Sequence, residues 1–521
     1  MATIFKRTLE QLSERRIDPW HYQPRFERQI NKIKDNLGAL PLEAVIDSKR
    51  GVASGATPLG ANYLEKGRVK FYRTSEVEEM FLQAEEAVFI NDEDDEKLKR
   101  SRLVDGDVLL TITGAKFGKS AVVSAKHLPA NISQHSVRFK PDPKKVDAYF
   151  LVAYLNSKTG QVAIWKEAYG ATRPAIDFPS VRSLAIPKVL PIAQKYIGDK
   201  VRQSEQLRAW AKRSEKRAQE LFNKQVDWSF EVLKVGKINK VLVSELNGRL
   251  DLKYNSPARL ALLRHIKNKQ ITTTELARLV DISAMIGWKG LTTDYYTNFG
   301  PWLLRGVEFR DGVIEFEKLV SVDRDKYLEQ PQIHLKEGDI AFSKDGTIGK
   351  AIVIPELAND MAAGSTIARL RLKKVNEINP YYLELVLNHD FVQVQVESFA
   401  TGIAQPHITQ EWIAQLIIPR VKYEQVIGEY LSIHHLANNN SKILIQAAKT
   451  LVESLIEGQL TERQLIEAQQ ALEDGDNSLD QTILSKLSAE GYAIEGATPL
   501  FSDVDELYSL LEDAAQDEAE E

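Results

Sequence analysis

A short segment rich in glycine and lysine has the residue types of a phosphate-binding loop. Residues 109–123, LLTITGAKFGKSAVV, place that segment directly after an apolar run that is typical of a strand. Backbone amides and a lysine in such a turn can bind the phosphates of a nucleotide. A P-loop, however, has four residues between its glycines, and only three separate Gly114 from Gly118. The spacing therefore argues against a nucleotide-binding enzyme.

A second segment carries residue types that could act on a nucleobase. Residues 379–382, NPYY, resemble the Asn-Pro-Pro-Tyr signature of adenine-N6 methyltransferases, but the second proline is missing. The matching segment earlier in the chain, residues 147–150 (DAYF), keeps no catalytic side chain. Asn caps the free amides at the start of a helix, and Pro fits its first turn. We therefore interpret residues 379–382 as the start of a helix.

Other motifs of enzyme active sites are missing from the sequence. It contains no Gly-x-Ser-x-Gly, no His-Glu-x-x-His and no Rossmann fingerprint. His434 and His435 are adjacent, which is not the i, i+4 spacing of metal ligands on a helix, and the acidic run 92–96 is typical of a solvated surface. We predict no catalytic residues, no metal and no cofactor. An enzyme with an unfamiliar site is the rival hypothesis.

The whole chain has the composition of a globular protein with more than one domain. Its 521 residues exceed one ordinary hydrophobic core, and 43% of them are hydrophobic. No run of 18 apolar residues is present, and the first residues lack the apolar region of a signal peptide. Without cysteine, the chain forms no disulfides. These features favour a cytoplasmic protein with no membrane partner.

Charge is distributed unevenly along the chain. Residues 473–521 contain fifteen Asp or Glu and one Lys, a net charge of −14, whereas the whole chain carries −5. Residues 1–472 therefore carry +9. A basic body suits a polyanionic partner, and an acidic tail is typical of a solvating or interaction segment.

The glycine loop occurs twice. Residues 105–123 match residues 337–354, but the second copy is one residue shorter and has Ala351 where a P-loop has Ser or Thr. A loop that binds a magnesium nucleotide would not tolerate both changes. Both copies instead predict a β-turn with a basic tip between two strands. The matching positions are Gly106-Asp107 with Gly338-Asp339, Gly114 with Gly346, and Gly118-Lys119 with Gly349-Lys350.

A longer block repeats without gaps at an offset of 232 residues. Residues 148–187 and 380–419 share 13 identities in 40 positions, where chance gives about two or three. The segments 16–26 and 249–260 are also similar. Each copy is expected to contain a start motif, a strand-rich middle, a helix, a glycine loop, a short strand and a proline. We predict a duplicated domain of about 170–190 residues.

A long polar helix is predicted after each copy, over residues 191–224 and 421–457. On both helices, residues that are alternately four and three positions apart line one face and form a seam. The ends of this seam are apolar and its middle is polar. We favour an antiparallel pair over two helices that pack only on their own domains, because a polar seam buries poorly on a single domain. Ser204 and Ser441 should then face inward. The seam residues are Ile197, Val201, Ser204, Arg208, Ala211, Glu215, Ala218 and Phe222, and then Ile427, Leu431, His434, Asn438, Ser441, Ile445, Ala448, Val452 and Leu455.

This order of features resembles the specificity (S) subunit of type I restriction–modification systems, over about residues 15–460. The resemblance rests on the duplicated glycine turn, a Tyr-Leu…Leu-Asn helix and a Gly-x-x-x-Pro-x-Ile loop. The helix residues are Tyr149, Leu151, Leu155 and Asn156, and then Tyr381, Leu383, Leu387 and Asn388. The loop residues are Gly170, Pro174 and Ile176, and then Gly402, Pro406 and Ile408.

The resemblance implies a mixed α+β (α/β) fold, in which two homologous target-recognition domains are joined by two long antiparallel helices that form a coiled coil. Each domain would read one half of a bipartite site in double-stranded DNA. The helices would space the halves and dock two DNA methyltransferase (M) subunits; whether restriction (R) subunits join is left open. The expected segments are 1–190 for the first domain with an N-terminal helix, 191–230 for the first helix, 245–420 for the second domain, 421–472 for the second helix, and 473–521 for an acidic C-terminal tail that has no counterpart in the family.

The alternative function is a stand-alone sequence-specific DNA-binding or regulatory protein without restriction partners. Either function needs cations for phosphates and forked polar side chains for base edges. Each candidate residue also fits an ordinary solvated surface, and Lys119 and Lys350 could simply end a strand. The predicted DNA-binding residues are Lys116, Lys119, Lys344 and Lys350 in the glycine loops, and Arg173, Gln405 and His407 in the proline loops.

Overall fold

The chain divides into two compact units, residues 1–208 together with 440–521, and residues 209–439. Each unit contains one copy of the repeat. The first long helix ends at Val226, before the predicted end at 230, and the second ends at Ile456, before the predicted end at 472. The predicted start of the second domain at 245 lies outside the described residues. The computed structural model describes residues 4–12, 16–58, 60, 62–170, 172–228, 241–243, 249–285, 291–310, 312–402 and 405–520.

The first copy consists of short helices and strands and leads into a long helix. Its helices are α1 (Pro24–Asn36), α2 (Leu42–Val45), α3 (Asp92–Lys97), α4 (Ala148–Asn156), α5 (Lys158–Glu167) and α6 (Phe178–Arg182), followed by the long α7 (Pro191–Val226). Its strands are β1 (Ala39–Pro41), β2 (Ala53–Ser54), β3 (Val69–Tyr72), β4 (Val88–Ile90), β5 (Val108–Thr111), β6 (Ser120–Val122), β7 (Ala130–Ile132), β8 (Ser136–Phe139) and β9 (Ala185–Pro187).

Two sheets and a short strand pair organise the first copy. The order β2-β8-β5-β6 forms an antiparallel sheet, and β4-β3-β7 forms a second sheet in which β3 and β7 run parallel. β1 pairs antiparallel with β9. Every residue of β5 is buried, and α4, which is buried from Phe150 to Asn156, packs against β6. The core therefore lies between α4 and the antiparallel sheet.

The second copy has the same kinds of element in the same order. Its helices are α8 (Pro257–Lys269), α9 (Leu276–Leu279), α10 (Arg324–Leu328), α11 (Pro380–Asn388), α12 (Asp390–Phe399) and α13 (Gln410–Ala414), followed by the long α14 (Glu424–Ile456). Its strands are β10 (Thr273–Glu275), β11 (Val280–Ala284), β12 (Tyr296–Leu304), β13 (Phe309–Arg310), β14 (Val313–Ile314), β15 (Val320–Val322), β16 (His334–Leu335), β17 (Ile340–Ser343), β18 (Ala351–Val353), β19 (Met361–Ala363), β20 (Ile367–Leu372) and β21 (Ile417–Pro419).

The sheet topology of the first copy recurs in the second. The order β11-β20-β17-β18 repeats β2-β8-β5-β6, and β15-β12-β19 repeats β4-β3-β7 with the same parallel pair, here β12 with β19. β10 pairs antiparallel with β21, as β1 does with β9. The second copy adds β16 beside β19 and the β13–β14 hairpin. The predicted duplication of a mixed α+β domain is confirmed.

The start motif forms the same local structure in both copies. Arg16 Nε lies 2.6 Å from Asp18 Oδ2, and Arg249 Nε lies 2.7 Å from Asp251 Oδ2. In each copy the other carboxylate oxygen accepts the backbone N–H three residues further on. The arginine hydrogen bond holds the pKa of Asp18 below its usual range. The similarity of segments 16–26 and 249–260 therefore reflects a structural ion pair.

The helix starts that the sequence predicts are present in both copies. Asp147 Oδ1 accepts two backbone amides of α4, at 2.8 and 3.0 Å, and Asn379 Oδ1 accepts two of α11, at 2.9 and 3.3 Å. The interpretation of residues 379–382 as a helix start is confirmed. The single helix expected next is divided in two, because Ser157 and His389 adopt extended backbone conformations and cap α5 and α12.

The two long helices pack against each other in an antiparallel arrangement. In the first unit the Oγ atoms of Ser204 and Ser441 lie 2.8 Å apart, and each hydroxyl lies 2.9 Å from the other residue's carbonyl oxygen. Leu190, before α7, donates to Glu462, beyond α14. In the second unit His434 Nδ1 donates to the carbonyl of Ala211 at 3.0 Å. Every apolar residue of the predicted seam is buried, so the paired interpretation is confirmed.

Changes at the serine pair test how closely the helices approach. Ser204→Leu is expected to destabilise the first unit by about 1–3 kcal/mol, because a fully buried serine leaves no room for extra methylenes. Ser204→Ala should cost about 1 kcal/mol, the worth of one hydrogen bond. Thermal unfolding of the whole chain measures both, with Lys195→Ala at an exposed position of α7 as the control. A Ser204→Leu variant as stable as the unchanged protein would contradict the close contact.

The acidic segment 473–521, expected to be a tail, is folded within the first unit. Elements after α14 are α15 (Glu462–Glu473), α16 (Ser478–Leu484), β22 (Leu487–Ser488), β23 (Gly491–Tyr492) and α17 (Val504–Ala519). α17 buries Leu507, Leu510 and Ala514, whose spacing gives the helix one apolar face. An apolar face can pack even when the opposite face is strongly acidic, so net charge did not reveal this fold.

A buried ion pair attaches this C-terminal segment to α7. Lys200 Nζ lies 2.8 Å from Asp480 Oδ2, and the two side chains are 2% and 1% exposed. The hydroxyls of Tyr196 and Tyr508 also donate to the Asp480 carboxylate. Burial opposes ionisation of Asp480, but Lys200 and the two tyrosines outweigh it and hold its pKa below the usual range. The segment is therefore attached at a specific position of α7.

Candidate nucleic-acid interface

The glycine loop and the proline loop of the first copy are joined by backbone hydrogen bonds. The N–H of Ile176 donates to the carbonyl of Ile112 at 3.1 Å, and Tyr169 and Ala175 exchange two bonds of 2.9 Å. Thr113 lies opposite Ala175 in an antiparallel bridge. We name this region the first loop junction, residues 112–119 together with 169, 170 and 172–176.

The same junction recurs 232 residues later. The N–H of Ile408 donates to the carbonyl of Lys344 at 2.9 Å, and Thr401 and His407 exchange bonds of 2.8 and 2.9 Å. Asp345 lies opposite His407 in an antiparallel bridge. We name residues 344–350 together with 401, 402 and 405–408 the second loop junction. Since both copies preserve these bonds, the two loops form one surface feature in each unit.

Glycine makes the tight turn of each proline loop. Gly170 and Gly402 have φ values of +89° and +82°. A Cβ atom there would lie only 2.5 Å from the carbonyl oxygen of Arg173 and 2.4 Å from that of Gln405, respectively. A larger residue would thus be strained by both its backbone angle and the close carbonyl. The turn leaves the side chains of Arg173 and Gln405 exposed at the loop tips.

Two amide side chains from the helices hold each glycine loop. An Asn at the end of the first buried helix bonds the strand that follows the loop, and a Gln of the next helix bonds the second glycine. The sequence did not predict the role of the glutamines, although they are identical residues of the repeated block. The bonds are Asn156 to Ser120 O (2.8 Å) and Gln161 to Gly118 O (2.9 Å), and then Asn388 to Ala351 O (2.9 Å) and Gln393 to Gly349 O (2.8 Å).

Both lysines of the first glycine loop are paired with one carboxylate. Lys119 Nζ lies 2.7 Å from Glu78 Oε2, and Lys116 donates to Glu78 Oε1 and to the carbonyl of Ser75. Burial opposes ionisation of Glu78, but the hydrogen bonds from the two lysines outweigh it, so its pKa lies below the usual range. The structure therefore brings Lys116 and Lys119 together, around an acid that the sequence did not indicate.

The second loop junction has a carboxylate of its own. Lys344 Nζ lies 2.6 Å from Asp345 Oδ2, while His407 Nδ1 contacts the other oxygen of Asp345. The side chains of Lys344 and His407 are 14% and 39% exposed. Two of the predicted DNA-binding residues, one from each loop, thus meet at Asp345.

Lys350 has different surroundings from the other candidates. It lines a cavity of about 430 Å³ in the second unit, together with Glu384, His434 and His435. His435 Nε2 lies 2.8 Å from Glu384 Oε1, and the other Glu384 oxygen accepts the backbone N–H of Val353. Of the two adjacent histidines, His435 therefore contacts α11, whereas His434 contacts α7.

Within the ranges that the structure describes, no group of three or more His, Cys, Asp or Glu side chains could hold a metal ion. In the same ranges, no helix combines the length and the apolar character needed to cross a membrane.

Solved structures similar to this chain include an S subunit and an HsdS subunit. The S subunit of a type I restriction–modification system from M. genitalium is 11% identical, with a TM-score of 0.41, and the match covers 82% of this chain and 96% of that one. The HsdS subunit from Thermoanaerobacter tengcongensis is 15% identical, with a TM-score of 0.27, and the match covers 82% and 97%. No curated protein sequence matches.

A family model matches the chain twice, over residues 46–214 and 293–448. Each match includes one loop junction and part of the long helix that follows it, and the two together cover more than half of the chain. The family is described as the type I restriction modification DNA specificity domain. With this match over two copies of one fold, the chain belongs to the family of type I restriction–modification DNA specificity proteins.

Proposed function

We propose that this chain is the DNA-specificity subunit of a type I restriction–modification complex and has no catalytic activity of its own. Each copy of the domain reads one half of a bipartite site in double-stranded DNA. The paired helices α7 and α14 space the two halves and dock two methyltransferase subunits, in the cytoplasm.

The recurrence of the loop junction, with different side chains at its tip, carries this proposal. The backbone bonds between the loops are the same in both copies, but the exposed tip residue is Arg173 in one and Gln405 in the other. Arg pairs with guanine and Gln with adenine through two hydrogen bonds. A constant scaffold with variable tips is what two domains need in order to read two different half-sites.

The lysines of the junctions supply the second requirement of a DNA reader. Most protein–DNA hydrogen bonds go to phosphates, which position the protein without reading sequence. Lys116, Lys119 and Lys344 lie beside the exposed tips within the same junctions, and residues 1–472 carry a net positive charge. We therefore assign these lysines to phosphates and the tip residues to base edges.

The two rival functions predict different behaviour of the purified chain. A stand-alone regulator would bind DNA but would not copurify with a methyltransferase, and the family description lends it no support. An enzyme would turn over a cofactor by itself. A specificity subunit binds a methyltransferase and directs its activity, without turnover of its own.

Mapping of methylated sites tests the proposed function directly. Cells that carry this chain with its methyltransferase are expected to methylate a single motif made of two short sequences separated by a spacer of fixed length. Omission of the chain should abolish methylation at that motif, because the methyltransferase then lacks its sequence reader. A continuous motif, or an absence of sequence-specific methylation with every partner tried, would contradict the proposal.

A further inference from the structure

The lysines assigned to phosphates are already bound to a carboxylate in the first unit. Glu78 uses one oxygen for Lys116 and the other for Lys119, so neither carboxylate oxygen is left without a cation. The exposed fractions of the three side chains are 19%, 27% and 32%, which keeps all of them within reach of a ligand at the surface. A phosphate must therefore compete with Glu78 for these lysines.

Glu78 is held in place by a tight turn. Val77 and Leu82 lie opposite each other in an antiparallel bridge, and the N–H of Glu78 donates to the carbonyl of Phe81 at 3.0 Å. The Phe81 ring lies 3.4 Å from the guanidinium of Arg208 on α7. Since these contacts fix the backbone of the turn, the Glu78 carboxylate is a preorganised partner for the loop lysines.

The second unit reaches the same arrangement with a different residue. Asp345 belongs to the glycine loop itself and pairs with Lys344 and His407. Its counterpart in the first copy, Thr113, carries no charge, and there Glu78 comes from a separate turn. In both junctions one carboxylate binds two basic side chains, although the acid comes from different places in the fold.

We propose that Glu78 and Asp345, which we name the loop carboxylates, compete with DNA phosphates for the basic side chains of their junctions and so weaken binding to DNA without the recognised site. This inference rests on the proposed function. At the recognised site, base contacts offset the free-energy cost of separating the lysines from the carboxylate. On other DNA these base contacts are missing, so the lysines stay paired with the carboxylate and the protein binds fewer phosphates. The difference between the two affinities sets the specificity.

Neutral isosteres of the loop carboxylates provide the test, with the full-length chain on two duplexes. One duplex carries the motif found by methylation mapping, and the other is its scrambled sequence.

Glu78→Gln should steepen the log–log dependence of affinity on salt concentration for the scrambled duplex. The slope should change by about 0.9 for each lysine that gains a phosphate, thus by up to about 1.8. Between 50 and 200 mM salt this is about a threefold further loss of affinity for each contact. Asp345→Asn should steepen the slope on the scrambled duplex by about 0.9, because Lys344 then gains a phosphate contact. The slope on the cognate duplex should not change.

Matched variants separate this effect from a change of net charge. Glu93→Gln and Glu315→Gln also remove one carboxylate each, but their partners, Lys97 and Lys318, are outside the loop junctions. They should leave both slopes unchanged. The double variant Glu78→Gln, Lys116→Met should lose the phosphate contact of Lys116. Its slope on the scrambled duplex should therefore be shallower than that of Glu78→Gln alone by about 0.9.

The outcomes distinguish the inference from the function on which it rests. Variants that bind the scrambled duplex with the unchanged slope, or that steepen the slopes on both duplexes equally, overturn the role of the loop carboxylates. A loss of binding confined to the cognate duplex also overturns it, since the carboxylate would then contact a base. If the unchanged chain prefers neither duplex, the proposed function itself fails. Since the two carboxylates lie in different units, a folding defect in one variant leaves the other as a test.

Discussion

Asp480→Asn is expected to lower the free energy of unfolding of the first unit by about 3–5 kcal/mol, the usual cost of removing one partner from a buried ion pair. The change is nearly isosteric and keeps an oxygen that can accept from Tyr196 or Tyr508. It leaves the ammonium of Lys200, only 2% exposed, without a counter-charge. Hydrogen exchange of amides in α7 and α16 measures the loss within the first unit and does not require the two units to unfold together.

Two further variants test whether the unpaired charge of Lys200 causes this loss of stability. Lys200→Met combined with Asp480→Asn should recover part of the loss, because no uncompensated charge then remains. Asp513→Asn removes a carboxylate from an exposed position of α17 and should change stability by less than about 0.5 kcal/mol. If Asp480→Asn cost no more than Asp513→Asn, the buried pair would not be what attaches the C-terminal segment.

The same pair predicts how stability depends on pH. The folded-state pKa of Asp480 lies below its unfolded value, because Lys200 and the tyrosines outweigh the effect of burial. Its contribution to stability is therefore fully present above the unfolded value of about 3.9 and is lost as pH falls through the lower folded value. Acid unfolding of the first unit should begin below about pH 4 and should be less steep in Asp480→Asn.

Arg173→Ala is expected to relax sequence preference in one half of the recognised motif by about 1–3 kcal/mol while leaving the other half intact, because a bidentate contact to one base is lost. Gln405→Ala should have the corresponding effect on the other half only. The reason is structural: each tip residue belongs to a separate copy of the domain, at the same exposed position of its proline loop. Methylation-site mapping with each variant and its methyltransferase shows which half of the motif degrades.

Exposed residues of the same kind in the same copies serve as controls. Arg182 lies on α6 of the first copy and Gln415 follows α13 of the second, and both are exposed. Arg182→Ala and Gln415→Ala should leave both halves of the motif unchanged. If Arg173→Ala altered both halves together, or if Arg182→Ala altered either of them, the assignment of one junction to one half-site would be wrong.

The sequence by itself determined the repeated parts of this protein. An offset of 232 residues was enough to predict two equivalent domains, and the caps at Asp147 and Asn379 placed the start of the same helix in both. The 4-3 spacing predicted a seam that brings Ser204 against Ser441. These features depend on residues a few positions apart or on identity between copies, and both kinds of signal are local in the sequence.

Only the tertiary structure decided which groups distant in the sequence lie next to the candidate DNA-binding residues. Glu78 is 38 positions before Lys116, and nothing in the turn around it marks it as the partner of a glycine loop. The C-terminal segment was misjudged for a similar reason, since its net charge hid the apolar face of α17 and the pairing of Asp480 with Lys200. An ion pair between distant residues leaves no periodic pattern, because it depends on how the elements pack and not on the spacing along any one of them.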